Sequence, residues 1–224
     1  MRYLEYPGSK VNAMGFNLVL YQENIMSNIL VLKSSFKGDQ SHTNMLIDSF
    51  LNERSVRGMK DNIVVRDLVE LNLPVLDAEL FSALRGGEIS SQRLKEGVAL
   101  SDQLIAELKA SDLVVIGAPM YNHNVPTHLK NWFDLVARAR VTFNYTATYP
   151  VGLVEAVQAL VISSRGGVHV GHETDAVTPY LKSVLGLMGI REVQFVYAEG
   201  LDMKPHGRDS GLAAARHQLV ELLS

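Results

Sequence analysis

Five short apolar runs, each the length of a strand and most of them followed by helical periodicity, dominate the sequence. They are Asn28 to Lys33, Asn62 to Arg66, Leu113 to Gly117, Ala159 to Ser163 and Val193 to Tyr197. The runs are nearly continuous rather than alternating, as parallel strands covered on both faces require. Between them, Leu46 pairs with Phe50 and Ile47 with Leu51 at i,i+4. Leu100, Leu104, Ile105 and Leu108 repeat at helical spacing, as do Leu181, Val184, Leu185 and Met188. Leu129, Trp132, Phe133, Val136 and Ala137 form one continuous helical stripe, read as core or a subunit contact. A last helix is expected from about Asp209 to Leu223. Strand–helix units in this number predict an α/β doubly wound five-stranded parallel sheet of order 2-1-3-4-5. The stretch between strand two and the helix beginning near Gln92 is expected to be a long loop.

Residues 28–224 make up this domain. Residues 1–27 do not share its pattern, their apolar residues being scattered among Pro7, Gly8, Asn12 and Gly15. They are expected to be an extension, disordered or upstream of a true start at Met26. The competing reading is an arm that packs on a partner subunit.

Charge and cysteine content narrow the function. A net charge of −3 over 224 residues argues against nucleic acid or an anionic membrane as partner. There is no cysteine, so disulfides, thiolate metal sites and thiol nucleophiles are excluded, and redox chemistry would need a bound cofactor. No apolar run approaches the roughly 20 residues of a membrane span, and a cytoplasmic location is expected. His169 and His172, or His123 and His128, lack a third ligand at a usual spacing, so no metal site is expected.

In this architecture ligands bind beyond the carboxyl ends of the strands, at the switch point beside strands one and three. Three loops occupy that position: Ser34 to Asn44, Ala118 to Thr127 and Ser164 to His172. The first offers hydroxyls at a helix N-terminus, which suits a phosphomonoester, although a plain helix cap reads the same way. It is neither a Walker loop nor a three-glycine dinucleotide fingerprint. The second is stiffened by Pro119 and Pro126 and carries Met120 and Tyr121, suited to the face of a ring. The third has Gly166 and Gly167, which let backbone approach a flat ligand.

Together, "SS" after the first strand, "SHTN" opening the helix, "APMYNHNVPTHLKNWFDLVARARVTFNYT", "SSRGGVH" and "VTPYLKSVLGLMGIREVQFVYAEG" carry a resemblance. From about Met26 to Ser224 the chain resembles the FMN-dependent NADH:quinone oxidoreductases, also called FMN-dependent azoreductases, which are flavodoxin-like. The resemblance implies that Ser35, Ser41, His42 and Thr43 hold the FMN phosphate. It implies that Met120, Tyr121, Asn122 and His123 line the isoalloxazine, and that Ser164, Arg165, Gly166 and Gly167 close over its pyrimidine side. It also implies a homodimer with flavin sites between subunits. The family commonly has Phe at 123, Gly at 140, Arg at 144 and an aromatic at 187; here these are His123, Arg140, Asn144 and Leu187.

The implied chemistry is transfer of two electrons from NADH to flat quinones by a ping-pong hydride mechanism, with reductive cleavage of azo compounds. Asn122, His123 and Tyr145 are candidates to help a proton reach the product. Arg85, in the loop after strand two, is a candidate contact for an acidic substrate or the nicotinamide cofactor, and a solvated arginine is the alternative. Tyr145 and Leu187 are placed with it near the substrate. The competing function is a flavodoxin-type electron carrier, although such carriers are more acidic than this chain. A cofactor-free scaffold is the third reading.

Overall fold

The computed structural model describes residues 26–223. Residues 1–25 of the segment set apart above lie outside them, and Ser27 is already the first residue of β1. The strands are β1 (Ser27–Lys33), β2 (Asp61–Asp67), β3 (Leu113–Gly117), β4 (Phe143–Asn144), β5 (Val151–Gly152), β6 (Gln158–Ser164) and β7 (Val193–Ala198). The α-helices are α1 (His42–Val56), α2 (Ala78–Ala83), α3 (Gln92–Lys109), α4 (Thr127–Val136), α5 (Val177–Met188) and α6 (Gly207–Glu221).

The main sheet is all parallel, in the order β2-β1-β3-β6-β7. This is the 2-1-3-4-5 arrangement expected from the five apolar runs. Each face buries its own core because successive strand side chains point to opposite sides. Leu30, Leu32, Val114 and Ile116 pack under α3, α4 and α5, with Trp132 and Phe133 in that layer. Ile29, Val31, Val115 and Leu160 pack under α1 and α6. The central strands β3 and β6 are buried almost throughout, whereas β2, at the edge, is largely exposed.

Two elements were not expected. The long loop after β2 contains α2, which Asp77 caps by accepting from the Leu80 amide at 2.8 Å, while Leu80 and Ala83 anchor its inner face. One helical turn and a half is too short to show a period. The segment after α4 forms a small antiparallel hairpin, β4–β5, docked on the end of α5 through Val154 N–H to the Met188 carbonyl. Its approach to α5 needs Gly152, where a Cβ would lie 2.1 Å from the Gly189 nitrogen.

Arg140, in the turn leading into that hairpin, has φ 69° and donates its N–H to the Phe143 carbonyl at 2.7 Å. A left-handed backbone is costly for any residue with a Cβ and open to glycine. Arg140→Gly is therefore expected to stabilise the fold by about 0.5–1 kcal/mol, after the greater freedom of the unfolded glycine is subtracted. A thermal melt should move up by about 1–4 °C.

Candidate active site

The three loops at the carboxyl ends of β1, β3 and β6 are stitched into one surface. Ser35 Oγ lies 2.8 Å from the Tyr121 hydroxyl, joining the first loop to the second. The Phe36 ring packs on Tyr121 with centroids 4.4 Å apart. Met120 N–H donates to the Ser164 carbonyl at 2.9 Å, joining the second loop to the third.

The first loop is a cradle with unmet hydrogen-bonding capacity. Ser41 is the N-cap of α1: its Oγ accepts from the Asn44 amide at 3.2 Å and lies 2.9 Å from Thr43 Oγ1. The first main-chain bond of α1 runs from Met45 N–H to the Ser41 carbonyl, so the amides of His42 and Thr43 precede the ladder and remain available to an anion. His42 Nδ1 and Asn44 Oδ1 are buried without a partner. Burial, with the positive charges of Arg208 and Lys37, holds the His42 imidazole below its ordinary range, so it is neutral at pH 7. An orphaned imidazole nitrogen, two free amides and two hydroxyls, with cations close by, fit a phosphomonoester.

The second loop turns tightly. Tyr121 and Asn124 exchange main-chain bonds of 2.9 and 3.0 Å, and the two residues between them, Asn122 and His123, both have positive φ. The turn sends His123 across to the third loop, where its Nδ1 lies 3.2 Å from the Thr174 carbonyl.

In the third loop Gly166 and Gly167 lie under side chains. A Cβ on Gly166 would come within 2.5 Å of Asp202 Oδ2, and one on Gly167 within 2.9 Å of His169 Nε2. Arg165 departs from the expected role. Its side chain is fully buried, ion-paired to Asp175 at 3.0 Å and Glu199 at 3.4 Å, and it donates to Ser163 Oγ and Thr178 Oγ1. Its amide and carbonyl are bonded to Ala198 and Leu201. Arg165 therefore cannot close over a ligand; it holds the loop from behind.

Arg85, Tyr145 and Leu187 do come together, but elsewhere. With Phe81, Leu84 and Phe143 they line a groove of about 220 Å³. The Arg85 guanidinium lies over the Phe81 ring at 4.7 Å and the Tyr145 ring at 5.8 Å. The groove lies by the carboxyl ends of α4 and α5, and the three loops by their amino ends. A helix of the length of α4 spans about 15 Å. Tyr145 is thus apart from Asn122 and His123 in the same chain.

Sequence reasoning missed Phe36, Thr174, Asp175, Glu199, Asp202 and Arg208. Most lie within an expected loop or motif or a few residues beyond one, but the sequence does not show which way their side chains turn.

The model of the flavodoxin-like fold matches residues 27–223. The FMN-dependent NADH:quinone oxidoreductase 4 of Burkholderia lata is 69% identical over 197 residues, which are 88% of this chain and 99% of that protein. The chain belongs to that family. The FMN-dependent NADH:quinone oxidoreductase of Aeromonas salmonicida, another relative in the family, is 58% identical over the same shares of each chain. Among solved structures, the azoreductase AzrA superposes with a TM-score of 0.79 at 25% identity, covering 88% of this chain and 99% of that one.

Proposed function

We propose that this chain is an FMN-dependent oxidoreductase that passes two electrons from NADH to quinones and also reductively cleaves aromatic azo compounds. The observation that carries the reading is that the family's motifs fall on three loops that form one surface, with an unsatisfied anion cradle at one end. Bound there, FMN would supply two-electron hydride chemistry between NADH and the acceptor.

The chain's own residues supply binding and orientation. Ser35, Ser41 and Thr43 with the amides of His42 and Thr43 would hold the phosphate, and His42 Nδ1 would gain its missing partner there. Met120, Tyr121, Asn122 and His123 would flank the isoalloxazine, with the backbone at Ser164, Gly166 and Gly167 opposite. Both substrates would take the same place beside these loops, one after the other, so turnover would be ping-pong. Asn122 and His123 are the proton-handling candidates on this surface.

The molecule works as a homodimer, with the groove at Arg85, Tyr145 and Leu187 of one subunit set over the loops of the other. Support comes from the separation of groove and loops within one chain and from the exposed aromatic rings of Phe81 and Tyr145. Among the described residues no helix is long and apolar enough to cross a membrane, and we place the enzyme in the cytoplasm.

The purified protein should be yellow, bleach with anaerobic NADH and recover colour on adding a quinone. A colourless protein overturns the reading; a yellow one with negligible steady-state NADH oxidation favours the electron carrier. Ser41→Ala should weaken FMN about tenfold by fluorescence titration, since it loses both a cap and a hydrogen bond to a charged group.

A further inference from the structure

We propose that Thr174 is a clasp that positions His123 as the proton donor to the acceptor substrate, with His169 as its partner ring. The proposal rests on the quinone-reductase reading above and names a residue outside every motif that led to it.

The argument begins with backbone. Asn122 and His123 have φ of 48° and 63°. Consecutive left-handed residues define a type I′ turn, which glycine or asparagine fills most easily. A histidine held there stores strain, and strain of this kind gathers where a side chain must leave the chain in one direction.

The partner of His123 fixes its proton. Thr174 O is a carbonyl and can only accept, so His123 Nδ1 carries the hydrogen. Nε2 has no protein partner among the described residues and is free for a ligand. The same threonine serves His169, whose Nδ1 lies 2.9 Å from Thr174 Oγ1. The two rings meet edge to face, centroids 5.2 Å apart and planes at 77°. One residue therefore sets both imidazoles.

Thr174 is itself anchored. Asp175, next in the chain, is paired with Arg165 and accepts from Thr178 Oγ1 at 2.7 Å. Glu199 Oε1 accepts from the amides of His169 and Val170 at 2.7 and 3.0 Å. The titratable and charged groups around the two rings are Tyr121 on the second loop, His172, Glu173 and Asp175 on the third, and Arg165 and Glu199 behind it.

As the hydride equivalent that NADH supplied reaches one carbonyl oxygen of the quinone, the imidazolium of His123 gives its Nε2 proton to the other carbonyl oxygen. An O–H bond forms, the N–H bond breaks with its electron pair staying on Nε2, and water returns a proton to the ring. NADH, one proton and quinone become NAD⁺ and hydroquinone.

The test measures the two half-reactions separately by stopped flow across pH 5–9, in wild type, His123→Phe, Thr174→Val, Thr174→Ser and His169→Phe. The ratio of quinone to NADH half-reaction rates should fall about tenfold in His123→Phe, with its decline towards high pH flattened. Thr174→Val keeps the main-chain carbonyl that holds His123 Nδ1 but removes the hydroxyl that holds His169, so it should lower that ratio about threefold through the loosened His169 ring packed on His123, and Thr174→Ser, which keeps the hydroxyl, should restore it. Nitrogen NMR of the imidazoles in flavin-free protein should show His123 as the Nδ1–H form. Proportionate loss in both half-reactions, an unchanged pH profile in His123→Phe, or an Nε2–H form of His123 overturns the proposal. A wild type that NADH does not bleach overturns the underlying reading instead.

Discussion

Arg165→Met is expected to destabilise the protein by about 3–5 kcal/mol, the usual consequence of removing one partner from a buried charge cluster. The guanidinium is fully buried and faces Asp175 and Glu199, whose side chains are 8% and 16% exposed. It also lies over the Tyr197 ring at 4.7 Å. Methionine fills much of the volume but leaves two carboxylates facing each other without a cation. The third loop, which those carboxylates fix through Thr178 and the amides of His169 and Val170, should then open. A thermal melt should fall by about 6–20 °C, and FMN should leave more readily by fluorescence. Arg165→Lys should lie between, because it keeps the charge but loses the fork of donors.

The pH dependence has a definite sign. Burial alone would raise the Asp175 carboxyl, but hydrogen bonds from Arg165 and Thr178 outweigh it and hold the group below the usual carboxylate range. A depressed carboxylate contributes stability that is complete above its unfolded value of about 4 and is lost as pH falls through the folded value. The gap between wild type and Arg165→Met should accordingly be widest near neutrality and shrink below about pH 4. A gap independent of pH, or a melt unchanged by the substitution, would show that the cluster does not hold the loop.

Arg165 also marks where sequence reading stops. The fold was legible because strands buried on both faces must be almost wholly apolar, and that constraint is local: Leu113–Gly117 announces a central strand without knowledge of its neighbours. The loop positions followed from topology, since parallel order fixes which ends carry ligands. The role of Arg165 was not legible, because its direction depends on Asp175, Thr178 and Glu199, two of them on α5 and its approach and one after β7. A motif gives a residue's place in the chain, not which side of the sheet its guanidinium enters. The same holds for Thr174, whose carbonyl meets His123 across 51 residues. The α2 helix escaped for a different reason: its helical signal is a cap and two anchors, below the length at which a period can be read. Arg85, Tyr145 and Leu187 line one groove, yet their distance from the loops is a property of α4's length and direction.

That distance leads to the experiment with the clearest all-or-none outcome. Ser41→Asp keeps a good N-cap for α1 but sets a carboxylate where a phosphate must sit, so it should bind FMN too weakly for turnover. A second variant, Arg85→Ala with Tyr145→Ala, removes two largely exposed side chains from the groove and should fold normally while losing most quinone reduction. Each alone should be nearly inactive. If the groove of one subunit serves the cradle of the other, random mixing makes half of the dimers hybrid, and each hybrid has one site with an intact cradle and an intact groove. Activity should then recover to about a quarter of wild type in the mixture, because a symmetric dimer has two equivalent sites. Were groove and cradle completed within one chain, or the groove irrelevant to turnover, mixing would give only the average of the two separate variants. Co-expression with two affinity tags, isolation of the doubly tagged dimer and assay of NADH oxidation with a quinone decides between them, since the hybrid alone should reach about half of the wild-type rate per dimer.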